Sequence, residues 1–325
     1  MNERTRILPI GVDLGTTRVR LVAAETDRAG RTKIAAAVAR DLPDGALVEN
    51  AIVEPDLVAT VLEEAFRELG FRQRRCAMSL PCSAAAIRLM RLPGMGWTER
   101  KRCARFEAER FSPWDASEIP SIVRVRALDA RARVHAIGIA RTDAVAARTV
   151  CAKKAGLRLA SIDHDACALA RAFPYADAVL DVGYLQTTLH AVTPSAVLSE
   201  PIPLGGSHVT RAIAIDLAID GDAAEKRKRI LGTAGAGDGA VQDLAAQVGV
   251  HVGRLRNLTP IRRVALTGNG ARLPGLAEAI AAAAGVVAEL QVSDVLRDGA
   301  YPNDVVRSAA PDWTLAAALA TGSAA

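Results

Sequence analysis

A short apolar run near the start of the chain ends in an aspartate, and small and hydroxyl-bearing residues follow it (GVDLGTT, residues 11–17). Asp13 at such a strand end can hold a magnesium ion through water, because this ion keeps much of its hydration shell. Gly15, Thr16 and Thr17 can bring backbone N–H groups and hydroxyls to phosphate oxygens. An ordinary hairpin turn uses the same residue types, so this motif alone leaves both interpretations open. It is not a Walker loop, because no Gly-Lys-Ser/Thr follows.

The same plan recurs far downstream, where an apolar run ends in Asp-x-Gly and a threonine-containing strand follows (residues 178–192). Asp181 and Gly183 stand in the positions of the first aspartate and glycine, and Gln186 and Thr187 come next. Two such hairpins predict a nucleotide held between two halves of the chain. Each half would supply one phosphate loop and one acidic residue.

A third glycine loop follows another apolar run (VALTGNGARLPG, residues 264–275). Gly268 and Gly270 would let the backbone approach a ligand closely, and Pro274 suits the first turn of a helix. The alternative is a strand-to-helix turn that only needs a flexible backbone. The presence of two other such loops in the same chain makes this alternative less favoured.

The elements that must position these loops are those of an ordinary globular chain. Residues 7–13, 18–25 and 33–40 predict three strands of an antiparallel meander. The length of 325 residues allows about two domains, at roughly 100–200 residues each. A hydrophobic fraction of 50% and a charged fraction of 24% exclude a disordered or collagen-like chain.

Charge, cysteine spacing and hydropathy exclude further classes of protein. The net charge of +5 is a mild excess that does not by itself indicate nucleic-acid binding. The 5 cysteines are scattered and form no CxxC pattern, which argues against a zinc site or a disulfide framework. No run of 18 uncharged apolar residues and no secretory signal is present, so we expect a cytoplasmic chain without a membrane span.

The order of these three motifs resembles that of the actin-like ATPase superfamily. Within it, the chain is similar to the PilM family of type IV pilus assembly proteins, which is related to FtsA. The similarity runs almost end to end, and it includes the stretches at residues 44–71, 105–114, 155–173 and 204–228. Single stretches are weak signals, and their order makes the resemblance specific.

The resemblance implies an α/β, two-lobed actin-like ATPase fold with an FtsA-type inserted subdomain in the first lobe. The implied division assigns residues 1–77 to the first-lobe core, 78–160 to the insertion, 161–174 to an interlobe helix, 175–310 to the second lobe and 311–325 to a closing helix. In the insertion, we expect Thr98 to cap a basic helix that stops before Pro113.

The resemblance also implies ATP and magnesium between the lobes, with Asp13 and Asp181 near the metal. The nucleotide-binding residues that it implies are Asp13, Gly15, Thr16, Thr17, Asp181, Gly183, Gln186, Thr187, Glu225, Lys228, Gly268, Gly270 and Arg272. Glu225 and Lys228 fall where relatives hold ribose and adenine. Without the resemblance, an exposed ion pair in a charged run is the preferred interpretation of these two residues.

Two departures from the family pattern concern the phosphate loops. Asn269 stands where a third glycine is usual, and Tyr184-Leu185 is bulkier than the usual small residues. Asp163, His164 and Asp165 are candidates to orient a water for hydrolysis, and their spacing does not choose among them. We therefore expect nucleotide binding with slow or no turnover.

The function implied is an ATP-binding scaffold of pilus assembly, or of a related competence or secretion system. It would dock the cytoplasmic tail of a PilN-like inner-membrane protein and link it to the pilus motor ATPases. The chain would then lie at the inner membrane through this partner, with no membrane insertion of its own. The alternatives are an actin-fold sugar kinase and the cytoplasmic part of a type II secretion platform protein.

Overall fold

The computed structural model describes residues 6–48, 50–115, 117, 119, 121–129, 133–292 and 310–322. Parts of the predicted second lobe (293–309) and the last residues of the predicted closing helix (323–325) lie outside the described residues. The described chain is a mixed α/β structure with two large sheets and a short hairpin.

The strands of the structure are numbered in chain order, and their bounds are β1 Arg6–Ile7, β2 Ile10–Leu14, β3 Arg18–Thr26, β4 Thr32–Asp41, β5 Leu47–Val48, β6 Ala51–Ile52, β7 Arg75–Leu80, β8 Ala85–Arg91, β9 Ser121–Asp129, β10 Val134–Arg141, β11 Arg158–His164, β12 Ala178–Val182, β13 Thr187–Val192, β14 Ala196–Ile202, β15 Arg263–Thr267 and β16 Val287–Leu290. The helices are α1 Pro55–Leu69, α2 Trp97–Phe111, α3 Thr142–Lys154, α4 Asp165–Ala172, α5 Gly206–Leu217, α6 Gly221–Leu231, α7 Asp238–Arg256, α8 Leu276–Ala284 and α9 Thr314–Gly322.

The first sheet begins with the predicted meander. Its order is β1-β3-β2-β7-β11, with β4 also paired to β3, and β7 runs parallel to both β2 and β11. The β2 and β3 strands are nearly continuous apolar runs because both faces of this sheet are covered. One face packs on α1 and α3 through residues such as Leu62, Phe66 and Cys151.

The closing helix α9 covers the other face of the first sheet. Ala316, Ala317 and Ala320 pack against Val22 and Ala24 of β3. Gly11 of β2 allows this close packing, because a Cβ at that position would overlap the carbonyl oxygen of Ala316. The last described element of the chain therefore belongs to the same packing unit as the first strands.

The second sheet has eight strands in the order β16-β15-β12-β13-β14-β8-β10-β9. Strands β12 to β16 form its first part. Helices α5 to α8 pack on these strands through buried residues such as Val209, Leu244 and Ile280. Strands β8, β10 and β9 form the remainder, covered by α2 through Ala104, Ala108, Ile137 and Ile139 among others. We call residues 85–141, which hold these three strands and α2, the insertion.

The insertion is joined to the second lobe by backbone pairing. Strand β14 pairs with β8 at Ala196↔Arg88 and Val197↔Ile87, and Leu89 N donates to Ser195 O at 2.8 Å. In contrast, α3 and β11 belong to the first sheet and its packing. Both fall in the predicted insertion range 78–160, apart from the last residues of β11. The predicted domain boundaries stay a prediction, and this packing favours a shorter insertion.

Two local expectations differ from the structure. Helix α2 begins at Trp97, one residue before Thr98, and its N-cap Gly96 is extended and offers no side chain. The segment predicted as an interlobe helix starts as strand β11 and becomes helix α4 only at Asp165. After an irregularity between Leu159 and Ser161, residues 161–164 pair in parallel with residues 77–80 of β7, and this pairing outweighs a local helical preference.

Candidate functional site

The three predicted loops converge on a cleft between the two sheets. Two adjoining cavities of about 620 and 600 Å³ make up this cleft. Six residues line both of them, namely Arg18, Arg20, Gly183, Tyr184, Asn269 and Asp312. The larger cavity is lined by loops from both sheets, and α6 and the third glycine loop line the smaller one.

The first loop lies where β2 turns into β3. Gly15 N donates to Arg18 O at 3.0 Å and closes the turn. Asp13, Gly15, Thr16 and Thr17 all line the larger cavity. This loop therefore presents one carboxylate and two hydroxyls to the cleft.

The second loop lies opposite the first, between β12 and β13. Gly183 N donates to Gln186 O at 3.0 Å, and a Cβ on Gly183 would lie 2.6 Å from that same oxygen. Gly183 O in turn accepts from Gly206 N at 3.0 Å, which ties the loop to the start of α5. Asp181, Gly183 and Gln186 line the larger cavity.

Thr187 is the predicted site residue that the structure places elsewhere, and this prediction is corrected. Its side chain is fully buried and does not line the cleft, while Thr188 does and accepts from Gln186 Nε2 at 3.1 Å. Successive residues of a strand point to opposite faces, so only one of the two threonines can face the cleft.

The third loop follows β15 and packs directly on the second. Gly268 has a φ of 86°, and a Cβ there would fall on the Asp181 carboxylate. A Cβ on Gly270 would lie 2.6 Å from Val182 Cγ1. Both glycines are therefore needed for the loop to lie against the end of β12. Gly268 lines the larger cavity and Gly270 the smaller.

Three carboxyl groups line the larger cavity, contributed by Asp13, Asp165 and Asp181. Burial, with a smaller contribution from the negative charge of Asp13, raises the pKa of Asp165 and of Asp181 to about 7. Burial also raises the pKa of Asp13, although Arg20 Nη1, 3.5 Å from Asp13 Oδ2, opposes this. Burial and mutual repulsion thus disfavour the simultaneous ionisation of these three carboxyl groups.

This donor set fits a magnesium ion that binds largely through water and phosphate. Hard carboxylate oxygens are the ligands that magnesium prefers, usually one or two from the protein. Among the described residues, no three His, Cys, Asp or Glu side chains come close enough together to hold a metal by themselves. Asp13 and Asp181 are the predicted metal residues, and a divalent cation would relieve the repulsion between them.

Glu225 and Lys228 line the smaller cavity and form a closed hydrogen-bond network. The Lys228 ammonium donates to Glu225 Oε2 at 2.7 Å, Thr210 Oγ1 at 2.8 Å and Gly206 O at 2.9 Å. Burial raises the pKa of Glu225, but hydrogen bonds from Lys228 and Thr210 outweigh burial and lower it overall. Lys228 uses all three of its donors in this way, and its ammonium lies 5.8 Å from the Tyr184 ring centroid.

Arg272 closes the cleft from the third loop. Its Nη1 lies 3.5 Å from Asp312 Oδ2, next to α9. Burial raises the pKa of Asp312, while Arg20 and Arg272 oppose the shift. Of the residues that the structure describes, five Arg and Lys and three Asp and Glu line the smaller cavity, which therefore carries a small net positive charge.

The structure separates the three candidates for water orientation. Asp163 faces away from the larger cavity and bonds Arg171 at 2.5 Å. His164 is buried, accepts the Ala166 N–H and caps α4. Only Asp165 lines the cavity, held by a hydrogen bond from Ser79.

Several cleft residues are not identified by the sequence analysis, namely Arg20, Ser79, Arg148, His190 and Asp312. Arg148 is buried and donates from Nε to Ser79 O at 2.6 Å, across 69 residues of sequence. His190 bonds Ser199 Oγ at 2.9 Å, and burial lowers its pKa to about 3, which keeps it neutral. Only Arg20 has a local signal, because it alternates with Arg18 on the strand that leaves the first loop.

Two lobes around a cleft with three converging glycine-containing loops define an actin-like ATPase fold. The chain belongs to the type IV pilus assembly protein PilM family, whose model matches residues 11–324. No helix within the described residues is both long and apolar enough to cross a bilayer.

Solved structures show the same fold. A PilM-PilN type IV pilus biogenesis complex aligns with a TM-score of 0.80 at 23% identity, covering 96% of this chain and 97% of that chain. The ethanolamine utilization protein EutJ from Carboxydothermus hydrogenoformans aligns at 0.60 and 18% identity, covering 97% and 89%. A nucleotide-free diol dehydratase-reactivating factor aligns at 0.54 and 9%, covering 97% and 99%.

Proposed function

We propose that this protein is an ATP-binding scaffold of type IV pilus assembly that docks the cytoplasmic tail of a PilN-like inner-membrane protein. Membership of the PilM family supports the pilus assignment. The convergence of Asp13, Asp181 and the glycine loops on one cleft is the observation that carries the ATP assignment. The proposal places the chain on the cytoplasmic side of the inner membrane, where it is held by its partner and links that partner to the pilus motor.

In this proposal the residues of the larger cavity hold the phosphates and their cation. A bound magnesium ion would neutralise part of the negative charge of the phosphates. The backbone N–H groups and hydroxyls of residues 15–17 and the loop at residues 183–186 would face the phosphates from opposite sides. Gly270, Arg272 and the Glu225–Lys228 network would form the wall around the nucleoside.

Hydrolysis is proposed to be slow or absent. Asp165 is the one candidate of the original three that reaches the cavity, and its raised pKa leaves it partly protonated near pH 7. Its carboxylate is also engaged by Ser79 and lies near the Arg148 guanidinium. A pKa near 7 by itself suits a general base. The proposal of slow or absent hydrolysis therefore rests on the engagement of Asp165 by Ser79 and on the departures at Asn269 and Tyr184-Leu185 in the phosphate loops.

The partner proposal rests on the family and on the PilM-PilN complex that the fold resembles. Titration of a PilN-type tail peptide into the full chain with magnesium-ATP should give saturable binding. A scrambled peptide of the same composition is the control. No measurable binding of the native tail would overturn this part of the proposal, and rapid ATP consumption with any sugar would favour a kinase instead.

A further inference from the structure

The basic excess of the chain is concentrated on one part of the fold. The insertion contains 12 of the 41 Lys and Arg residues and only 6 of the 36 Asp and Glu residues. Its formal net charge is therefore +6, and the rest of the chain carries −1. The net charge of +5 therefore comes from the insertion, and the rest of the chain is nearly neutral.

The outer side of α2 combines these cations with exposed aromatic rings. Trp97 is 57% exposed and Phe106 is 60% exposed, although large aromatic side chains are mostly buried in folded proteins. The inner side of the same helix is the one that packs, through Ala104 and Ala108. The aromatic residues therefore do not serve the core of the insertion.

Each ring lies beside a cation one helical turn further on. Lys101 Nζ is 4.8 Å from the Trp97 ring centroid, and Arg110 Cζ is 5.8 Å from that of Phe106. Residues four apart are neighbours on a helix surface. Two adjacent rows result, with Trp97, Lys101 and Arg105 in one and Arg102, Phe106 and Arg110 in the other.

Acidic side chains on this helix only partly offset the cations. Glu107 pairs with Arg110 at 3.6 Å, and Glu99 and Glu109 are exposed. The helix keeps a net charge of +2, and further exposed arginines of β8 and β9 (Arg91, Arg124 and Arg126) add to the surrounding field.

We propose that the outer side of α2 is a contact surface for anionic lipid headgroups. Arginine and lysine near a bilayer are attracted to acidic lipids, and Trp and Phe rings favour the interface between headgroups and acyl chains. The opposite charges of insertion and lipid are the argument for this occupant. The inference rests on the proposed function, because a PilN-like tail would hold the chain near the membrane, and the attraction between unlike surface charges acts over about 10 Å at 0.1 M salt.

The test uses the full chain and vesicles, with no tail peptide present. Cosedimentation is compared for phosphatidylcholine vesicles and for vesicles that also contain phosphatidylglycerol, at 0.1 and 0.5 M salt. We expect binding only to the anionic vesicles and its loss at high salt. A blue shift of tryptophan emission on binding should disappear in Trp97→Phe, since Trp313 is buried and Trp114 is bonded to Ser121.

A pair of matched double variants tests the location of the surface. Arg102→Glu with Arg105→Glu reverses two charges on α2, and we expect a loss of about tenfold or more in vesicle binding. Lys226→Glu with Arg254→Glu makes the same change in charge on exposed positions of the second lobe, and binding should persist. Circular dichroism checks that both variants fold.

Three results would overturn the proposal. They are equal binding to neutral and anionic vesicles, equal loss in both double variants, and binding to polyglutamate without binding to anionic vesicles. The last would assign the surface to an acidic protein. Because no tail peptide takes part, failure here leaves the tail titration as a separate test of the proposed function.

Discussion

Asp13 is the residue on which the metal assignment depends most directly. It contacts Arg20 and lines the same cavity as Asp165 and Asp181, and its side chain is only 14% exposed. Asn has the same shape but no charge, so Asp13→Asn should leave the turn intact and weaken binding of the cation. At a ligand concentration 100 times Kd, binding adds about 2.7 kcal/mol to the stability of a protein.

We therefore expect magnesium-ATP to raise the Tm of the wild type by several degrees and that of Asp13→Asn little or not at all, as measured by differential scanning fluorimetry. Asp243→Asn, on the exposed side of α7, is the control and should behave as the wild type. An equal shift in wild type and Asp13→Asn would remove Asp13 from the site.

The raised pKa values of Asp165 and Asp181 predict a pH dependence of the ligand-free protein. Both groups have a pKa of about 7 in the folded state and an ordinary value near 3.8 when unfolded. The folded state binds more protons between these values, so the free energy of unfolding should fall as the pH rises from about 4 through 7. Each carboxyl should contribute roughly 1–3 kcal/mol of this fall.

Urea unfolding at pH 5 and pH 8 measures this effect. Asp165→Asn should reduce the loss of stability between the two pH values, because the amide does not titrate. Asp243→Asn should leave the loss unchanged. A pH dependence that is the same in all three proteins would mean that Asp165 is ionised in the folded state.

At the scale of elements, the packing of α9 on β2 depends on Gly11. An added methyl group there would overlap the Ala316 carbonyl, so β2 and α9 must separate for it to fit. Gly11→Ala should lower the free energy of unfolding by about 3 kcal/mol, the upper range for overpacking. Gly253→Ala in α7 has open space around its Cβ and should be neutral or stabilising by up to about 1 kcal/mol. Chemical denaturation compares the two, and equal effects would contradict the packing argument.

The link between α5 and α6 depends on Lys228. Lys228→Met keeps the aliphatic stem but leaves Thr210, Gly206 O and Glu225 Oε2 without this donor. We expect a loss of about 2 kcal/mol in unfolding free energy, since buried polar groups that lose a charged partner are costly. Lys226→Met, two residues earlier and exposed, should change stability by less than about 0.5 kcal/mol. Thermal unfolding of both variants measures the difference.

The elements that hold the three loops could be predicted closely from the sequence. The predicted strand at 18–25 is β3 at Arg18–Thr26, and the strand at 187–192 is β13. Alternation and glycine turns are local signals, so they locate strands and the loops between them. The motif predicts Thr187 as a site residue although Thr188 lines the cleft, because a motif shows which residues follow a turn but not which face of the strand each one takes.

The rest of the site depends on contacts that are distant in sequence. Arg148 lies on α3 and is held at the cavity by its hydrogen bond to Ser79 O. Asp312 precedes α9 and contacts Arg272. Neither residue carries a pattern in its own neighbourhood, because its role arises only when the two sheets come together. The same is true of the pairing between β8 and β14, which joins segments that are more than a hundred residues apart.

At the scale of the whole molecule, the shared sheet predicts which parts move together. The chain enters and leaves the insertion from the first lobe, but the insertion is hydrogen-bonded to the second lobe through β8 and β14. If nucleotide changes the angle between the lobes, the insertion should follow the second lobe. The distance from the insertion to the first lobe should then change.

Fluorescence energy transfer between dye pairs tests this motion in a Cys103→Ser background. Burial raises the pKa of the other four thiols to about 11 or 12, so they label slowly at neutral pH. Glu109→Cys with Gln247→Cys reports insertion against second lobe, and Glu109→Cys with Glu64→Cys reports insertion against first lobe. Magnesium-ATP should change only the second pair, and a change confined to the first pair would contradict the shared-sheet argument.

The joint between β8 and β14 also has a mechanical consequence. A load applied to the insertion does not stop at the two chain connections to the first lobe, because backbone hydrogen bonds carry part of it into β14. From there it passes through β13 to β12, whose end carries Asp181 and the second glycine loop. Tension at the periphery of the protein therefore has a direct path of paired backbone to the wall of the cleft.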